Sequence, residues 1–298
     1  MHEELTDALR KRNIQFKEYD DLSVACFMKC GGYSSLTVIP SSIGELVETI
    51  RIIRKLGHSY VLIGSMSNVL PKDGLNNFAI IKTGKLRRKS VAEESVHAEC
   101  GTLLSSVVSF AIENGLGGCE GLGTIPGTVG GAIYGNSGAF GSSFENVFLK
   151  GLFFDPINDN VISLAYSDML FGYRSSVLSC RELVLLSAEM KFLYNDPLDS
   201  GKKLLQYRKK RLDSQPTNYP SLGSVFKRVG DKSAGFFIDQ CGLKGLSIGG
   251  ACISPKHAGF IVNRGNASSN DVKHLIEIIK NNVYLQFSVE LQEEIRIL

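Results

Sequence analysis

Residues 121–141 read Gly-Leu-Gly-Thr-Ile-Pro-Gly-Thr-Val-Gly-Gly-Ala-Ile-Tyr-Gly-Asn-Ser-Gly-Ala-Phe-Gly, with eight glycines and no charge. A core strand cannot be built this way, because glycine leaves nothing to pack and costs extra backbone entropy. A flexible linker would not hold Ile125, Pro126, Val129, Ile133 and Phe140. The backbone here must turn sharply and lie close against something large. Unpaired N–H groups in such loops form concavities suited to phosphate, so a nucleotide-cofactor cradle is expected in preference to a purely structural turn cluster. The stretch is neither a dinucleotide fingerprint of the doubly wound fold nor a P-loop. Pro126 and Gly127 interrupt the helix that should open there, and no Gly-Lys-Ser/Thr ending follows.

The rest of the chain sets the frame for that cradle. At 298 residues it can bury a sizeable core in two or three compact units. A net charge of +3 gives no argument for nucleic-acid binding. No apolar leader or membrane-length run is evident, so a cytoplasmic protein without membrane insertion is expected. Seven scattered cysteines without a C-x-x-C read as reduced structural thiols. Cys26 and Cys30, even with His58 or His97, match no zinc spacing, and no metal is expected. No obligate protein partner is evident.

Periodicity predicts a helix over 41–57, with a serine cap, Ile43, Leu46, Val47, Ile50 and Ile53 on one face, and Gly57 at its end. Strands are predicted at 60–63 and 78–82, a helix at 102–114, and strands at 147–154, 161–164 and 183–193. The turn-rich stretch 195–201 is the candidate domain boundary, followed by a basic helix with Lys202, Lys203, Arg208, Lys209, Lys210 and Arg211. Those charges read as a solvated face or as attraction for an anionic substrate. Ser268-x-x-Asp271 opens a C-terminal helix, and residues 290–296 read as an acidic, then apolar, strand. The alternation indicates an α+β class.

Several further blocks stand in a fixed order: Cys30-Gly-Gly32, Thr124-Ile-Pro-Gly-Thr-Val-Gly-Gly-Ala132, Asn136-Ser-Gly-Ala-Phe-Gly141, Phe171-Gly-Tyr-Arg-Ser-Ser176, Gly223-Ser-Val-Phe-Lys227, Gly242-Leu-Lys-Gly245, Lys256-His-Ala258 and Phe260-Ile-Val-Asn263. Together they strongly resemble the UDP-N-acetylenolpyruvoylglucosamine reductases, the MurB flavoenzymes, from about Cys30 onward. The compact C-terminal third is similar to the shorter subtype of that family. The resemblance implies a two-part PCMH-type FAD-binding domain over 1–196, subdivided near 75, and a smaller α+β substrate-binding domain over 197–298.

It also implies a reaction in which NADPH is the co-substrate, FAD the cofactor, and a UDP-sugar bearing an enolpyruvyl group the acceptor. By this resemblance Arg174 meets the developing enolate, Ser224 donates a proton and Glu294 assists it; neighbouring Glu293 competes for the last role. FAD would be held by Gly64, Ser65, Ser67, Asn68, Thr124, Ile125, Pro126, Gly127, Thr128, Gly130, Gly131, Asn136, Gly138 and Ala139. Tyr173, Lys227, Tyr207 and His257 would serve the substrate, His257 as a structural or orienting group.

The chain departs from the pattern at the FAD pyrophosphate loop. Where the family reads G-G-G-S-N, residues 64–68 are Gly-Ser-Met-Ser-Asn. Methionine falls where backbone crowds phosphate or takes a positive φ. Gly259 and Arg228-Val229 likewise replace asparagine and asparagine-proline. Losing one or two N–H contacts of about 0.5–1.5 kcal/mol each would weaken FAD roughly tenfold. An active enzyme with an altered flavin site is the leading expectation. A related flavoprotein with another substrate and a non-catalytic nucleotide-binding relative remain open on sequence.

Overall fold

The computed structural model describes residues 2–298. Its helices are α1 (His2–Arg10), α2 (Leu22–Ala25), α3 (Ile43–Lys55), α4 (Leu104–Glu113), α5 (Val129–Tyr134), α6 (Pro197–Ser214), α7 (Ala234–Gln240) and α8 (Ser269–Phe287). By internal contacts the chain forms two compact units. The first comprises residues up to Glu18, Leu36–Gly64 and Phe78–Lys209; the second comprises Tyr19–Ser35, Ser65–Asn77 and Lys210–Leu298.

In the first unit, α3 begins where Ser42 Oγ accepts the Glu45 N–H at 3.2 Å, satisfying one of the orphan donors of the first turn. Leu46, Ile50 and Ile53 are fully buried on its inner face, and Gly57 closes the helix at φ +70°. Each such side chain contributes about 1.5–3 kcal/mol by leaving water. Tyr60–Ile63 pairs in parallel with Ala79–Lys82. A five-stranded antiparallel sheet carries most of the core, in the order Asn160–Ala165, Phe148–Asp155, Val184–Lys191, Ser95–Glu99, Lys89–Ala92. Its central strand, Val184–Lys191, is buried almost throughout. It begins with Val184–Leu186, an unbroken apolar run, and Ser187, Glu189 and Lys191 then alternate with the buried Ala188 and Met190.

In the second unit, Ser221–Ser224, Phe260–Asn263, Ala251–Ile253 and Ser247–Ile248 form an antiparallel sheet against which α8 packs. A capping box between Ser268 and Asp271 opens α8, and Val272, Leu275, Ile276, Ile279 and Val283 are buried along it. Arg296–Ile297 pairs in parallel with Val69–Leu70.

Three expectations are corrected. The turn-rich stretch near 195–201 is the start of α6: Asp196 Oδ1 accepts the Leu198 N–H at 2.7 Å, and Pro197 occupies the first turn, where its missing N–H costs nothing. The glycine segment contains a short helix, α5, because Thr128 caps it just after Pro126 and Gly127. Residues 290–296 do not form one strand. Only Arg296–Ile297 does, with an isolated bridge between Phe226 and Glu293 before it.

Candidate active site

Much of the glycine segment of the first unit is used for close packing. A Cβ on Gly121 would stand 2.4 Å from the Ala139 carbonyl oxygen, and one on Gly64 would stand 2.2 Å from Thr128 Oγ1. The α5 amides are also engaged: Gly130 donates to the Cys100 carbonyl at 2.8 Å, and Gly131 donates to Thr128 Oγ1 at 3.4 Å. Gly131 is exposed, and a Cβ there would meet nothing closer than 3.7 Å, so space is open on this side. Gly138 and Ala139 pair with Ser143 and Ser142, and Thr124 Oγ1 donates to the Gly121 carbonyl. Ile125 and Gly127 are half-buried, while Pro126 is exposed.

Asn136 is buried and bonded to protein at both ends of its amide: its Nδ2 donates to the Gly172 carbonyl at 3.0 Å and its Oδ1 accepts the Glu145 N–H at 3.0 Å. It thereby ties the glycine segment to the turn that carries Tyr173 and Arg174. Gly172 and Ser175 exchange backbone hydrogen bonds across that turn, and Arg174 sits at φ +55°. The Arg174 guanidinium carbon lies 5.2 Å from the centre of the exposed Tyr173 ring. On α6, Tyr207 stacks on Phe140, with centroids 4.7 Å apart and planes 8° from parallel. One turn earlier, Lys203 pairs with Glu120 at 3.1 Å. The Glu120 carboxylate, only 1% exposed, also accepts the Gly118 N–H.

In the second unit, Met66 adopts φ +53° and is 2% exposed. It takes the left-handed backbone that a glycine would take and puts its side chain into the interior. Among the described residues, the amides of Ser65, Met66 and Asn68 donate to no other backbone group. Ser65 Oγ donates to Ser67 Oγ at 3.3 Å. Amides without a backbone acceptor around a left-handed residue suit anionic oxygen, so this loop fits a cofactor diphosphate.

Ser224 ends an edge strand after Gly223, which has φ +78°, and is exposed. The next residue, Val225, accepts the Glu294 N–H at 2.7 Å, and Lys227 donates its N–H to the Gln292 carbonyl at 2.9 Å. Glu293 is committed elsewhere, to Lys280 at 2.8 Å. Although burial pushes its carboxyl up, Lys280 and the Glu293 backbone hold it below the usual value. His257 accepts the Gly259 N–H on Nδ1 at 3.1 Å and packs edge-on against Phe260. Burial holds its imidazole below the ordinary value, and so uncharged at neutral pH.

All seven cysteines are free thiols, and among the described residues no group of three or more His, Cys, Asp or Glu could hold a metal ion. No helix among the described residues is long and apolar enough to cross a membrane.

Comparison with known proteins decides the family. Residues 34–153 match an FAD binding domain family, and residues 215–298 match the family of UDP-N-acetylenolpyruvoylglucosamine reductase C-terminal domains. A UDP-N-acetylenolpyruvoylglucosamine reductase of Caldicellulosiruptor saccharolyticus is 41% identical over 289 residues, covering 96% of this chain and 93% of that protein. This chain belongs to the UDP-N-acetylenolpyruvoylglucosamine reductase family. A second family member, from Caldanaerobacter subterraneus subsp. tengcongensis, is 36% identical and covers 100% of this chain and 99% of its own. The crystal structure of the Thermus caldophilus reductase superposes with a TM-score of 0.80 at 26% identity, covering 95% of this chain and 98% of that one. The fold is accordingly that of a flavoenzyme of this family, α+β, with an FAD-binding domain and a distinct C-terminal domain.

Within this family frame, sequence reasoning missed three features: the Phe140–Tyr207 stack, the Lys203–Glu120 pair and the hydrogen bond from Asn68 Nδ2 to the Glu294 carbonyl at 3.0 Å. The first two join residues far apart in the chain, and no local pattern signals them. The third links residues 226 positions apart.

Proposed function

We propose that this protein reduces UDP-N-acetylglucosamine enolpyruvate to UDP-N-acetylmuramate in the cytoplasmic synthesis of peptidoglycan precursors, with FAD as cofactor and NADPH as co-substrate. Beyond family membership, the strongest support is the 2.7 Å bond from the Glu294 N–H to the Val225 carbonyl. It sets the two expected acids, Ser224 and Glu294, on paired segments of one unit.

Bound FAD would carry a hydride equivalent from NADPH to C3 of the enolpyruvyl double bond. The backbone of loop 64–68 would meet the diphosphate of that cofactor, and Thr124–Thr128, Gly130, Gly131, Gly138 and Ala139 of the glycine segment would serve it too; Asn136 fixes the segment to the Arg174 turn. Negative charge then develops at C2 and spreads into the substrate carboxylate. Arg174 meets it with a permanent charge and paired donors. Ser224 delivers the proton to C2. A serine hydroxyl is a weak acid, so Glu294 supports the transfer. Lys227 offers a point charge to the UDP diphosphate. Tyr207, its ring fixed by Phe140, and Tyr173 contact the sugar-nucleotide. His257, uncharged, orients the substrate end of the sheet. We assign FAD binding to residues 1–196, subdivided near 75, and substrate binding to 197–298.

The test is direct. The purified protein should show flavin absorption bands and oxidise NADPH only when the enolpyruvyl UDP-sugar is present. A colourless protein that cannot be reconstituted with FAD would refute the assignment.

A further inference from the structure

The segment 292–298 has two partners within the second unit. On one side it pairs with the strand after Ser224, through Lys227 N–H to the Gln292 carbonyl and Glu294 N–H to the Val225 carbonyl. On the other it runs beside 68–70, through Arg296 N–H to the Asn68 carbonyl at 2.9 Å and Leu298 N–H to the Leu70 carbonyl at 3.0 Å. Glu294 stands where the segment passes from one partner to the other. There its carbonyl accepts a side-chain hydrogen bond, from Asn68 Nδ2 at 3.0 Å. Asn68 also ends the loop in which the Ser65, Met66 and Asn68 amides donate to no other backbone group among the described residues. One residue thus joins the diphosphate loop to the backbone of the proposed second acid.

We propose that Asn68 is a positioning residue for proton delivery, its side-chain amide fixing Glu294 beside Ser224. The inference rests on the functional reading above and deepens it. In the second half-reaction the substrate gains a hydride equivalent at C3, supplied by NADPH through the cofactor, and a proton at C2, supplied by Ser224. Hydride transfer from NADPH to the cofactor needs neither acid. Loosening Glu294 therefore slows only the step that consumes the proton. The Asn68 side-chain amide donates to the Glu294 carbonyl, whereas the diphosphate would be met by the loop's backbone amides, so a side-chain change is read in positioning.

The variants are Asn68→Ala and the uncharged, similarly sized Asn68→Leu, which also lacks the donor and keeps a folded alternative if alanine proves unstable. In the flavin-free protein, hydrogen exchange measured on peptides covering 290–298 should quicken about tenfold, the effect of losing one neutral hydrogen bond. FAD affinity, by titration of the visible spectrum, should stay within about threefold of wild type. Stopped-flow reduction by NADPH should be unchanged, while reoxidation by the enolpyruvyl UDP-sugar slows about tenfold and gains a larger solvent deuterium isotope effect. That loss should vanish when Glu294→Gln is already present. Unchanged exchange, equal slowing of both half-reactions, or a loss confined to FAD affinity would each overturn the proposal. If reduced wild-type enzyme is itself not reoxidised by this substrate, the functional reading fails and this inference fails with it. The exchange result would then still report whether the tether exists.

Discussion

Replacing Met66 with glycine and with alanine separates two quantities that the structure sets against each other. The side chain is 2% exposed, and its backbone lies at φ +53°. Truncating a buried methionine to alanine costs about 2–5 kcal/mol in lost transfer energy and residual cavity. The left-handed backbone costs a residue with a Cβ about 1–2 kcal/mol, a strain that alanine retains and glycine relieves. Glycine's extra freedom in the unfolded chain takes back about 0.5–1 kcal/mol. Met66→Ala should therefore lose about 2–5 kcal/mol in urea denaturation of the flavin-free protein. Met66→Gly should be as stable as the alanine variant, or up to about 1.5 kcal/mol more stable, the reverse of the usual order. Because methionine already holds the backbone as glycine would, titrated FAD should bind the Ser65→Gly/Met66→Gly variant within about threefold of wild type. A glycine variant less stable than alanine by about 0.5–1 kcal/mol would refute the left-handed assignment. A tenfold gain in FAD affinity would show that the methionine does crowd the diphosphate, as the sequence suggested.

Ser224→Ala should leave cofactor reduction by NADPH intact and slow reoxidation by substrate on the order of 10²–10⁴-fold, as stopped-flow traces of the separate halves would show; equal slowing would remove its proton-donor role. Arg174→Lys should fail to restore turnover in steady-state assays, since an ammonium lacks the paired donors for an enolate carboxylate; near wild-type kcat would reduce Arg174 to a simple charge. Lys203→Met should cost about 1–3 kcal/mol in denaturant melts at pH 7, because it strands the buried Glu120 carboxylate with only backbone donors. Burial pushes the Glu120 carboxyl up, but the Gly118 and Glu120 amides and Lys203 outweigh it and hold it below the ordinary glutamate value. A lowered folded value stabilises above the ordinary carboxylate range and is lost as pH falls through it, so wild type should weaken on acidification below about pH 4.5. This acid dependence should shrink or reverse in Lys203→Met.

The regular elements were legible because their signals are local. Ser42, the spaced apolar residues and Gly57 mark α3 without outside help, and the Ser268–Asp271 box does the same for α8. The strand Tyr60–Ile63 was legible as a short apolar run, whereas Phe260–Asn263, an equally short run, was read only as one of the ordered blocks, and Ala251–Ile253 is three residues long. The start of α6 was hidden because Asn195, Asp196 and Pro197 are turn formers that also make good helix starts. The glycine segment was legible as special but ambiguous in purpose. Glycine at 121 admits another part of the same unit, while glycine at 131 leaves open space, and composition cannot distinguish these. At the candidate site, residue types pointed to the chemistry. The pairing of Glu293 with Lys280, by contrast, had no local signal, and the burial of the Met66 side chain goes with one backbone angle.

The hydrogen bond between Asn68 and Glu294 spans 226 residues of chain. Bringing such distant segments together is entropically slow, and contacts of this separation form after local helices and hairpins. The diphosphate loop and the segment bearing the second acid should then acquire their final shape in one late step of folding. FAD would find no ordered loop on earlier intermediates, so it should stabilise the finished protein without speeding its formation. Refolding followed by flavin quenching should lag behind refolding followed by helix content, at a rate independent of FAD concentration.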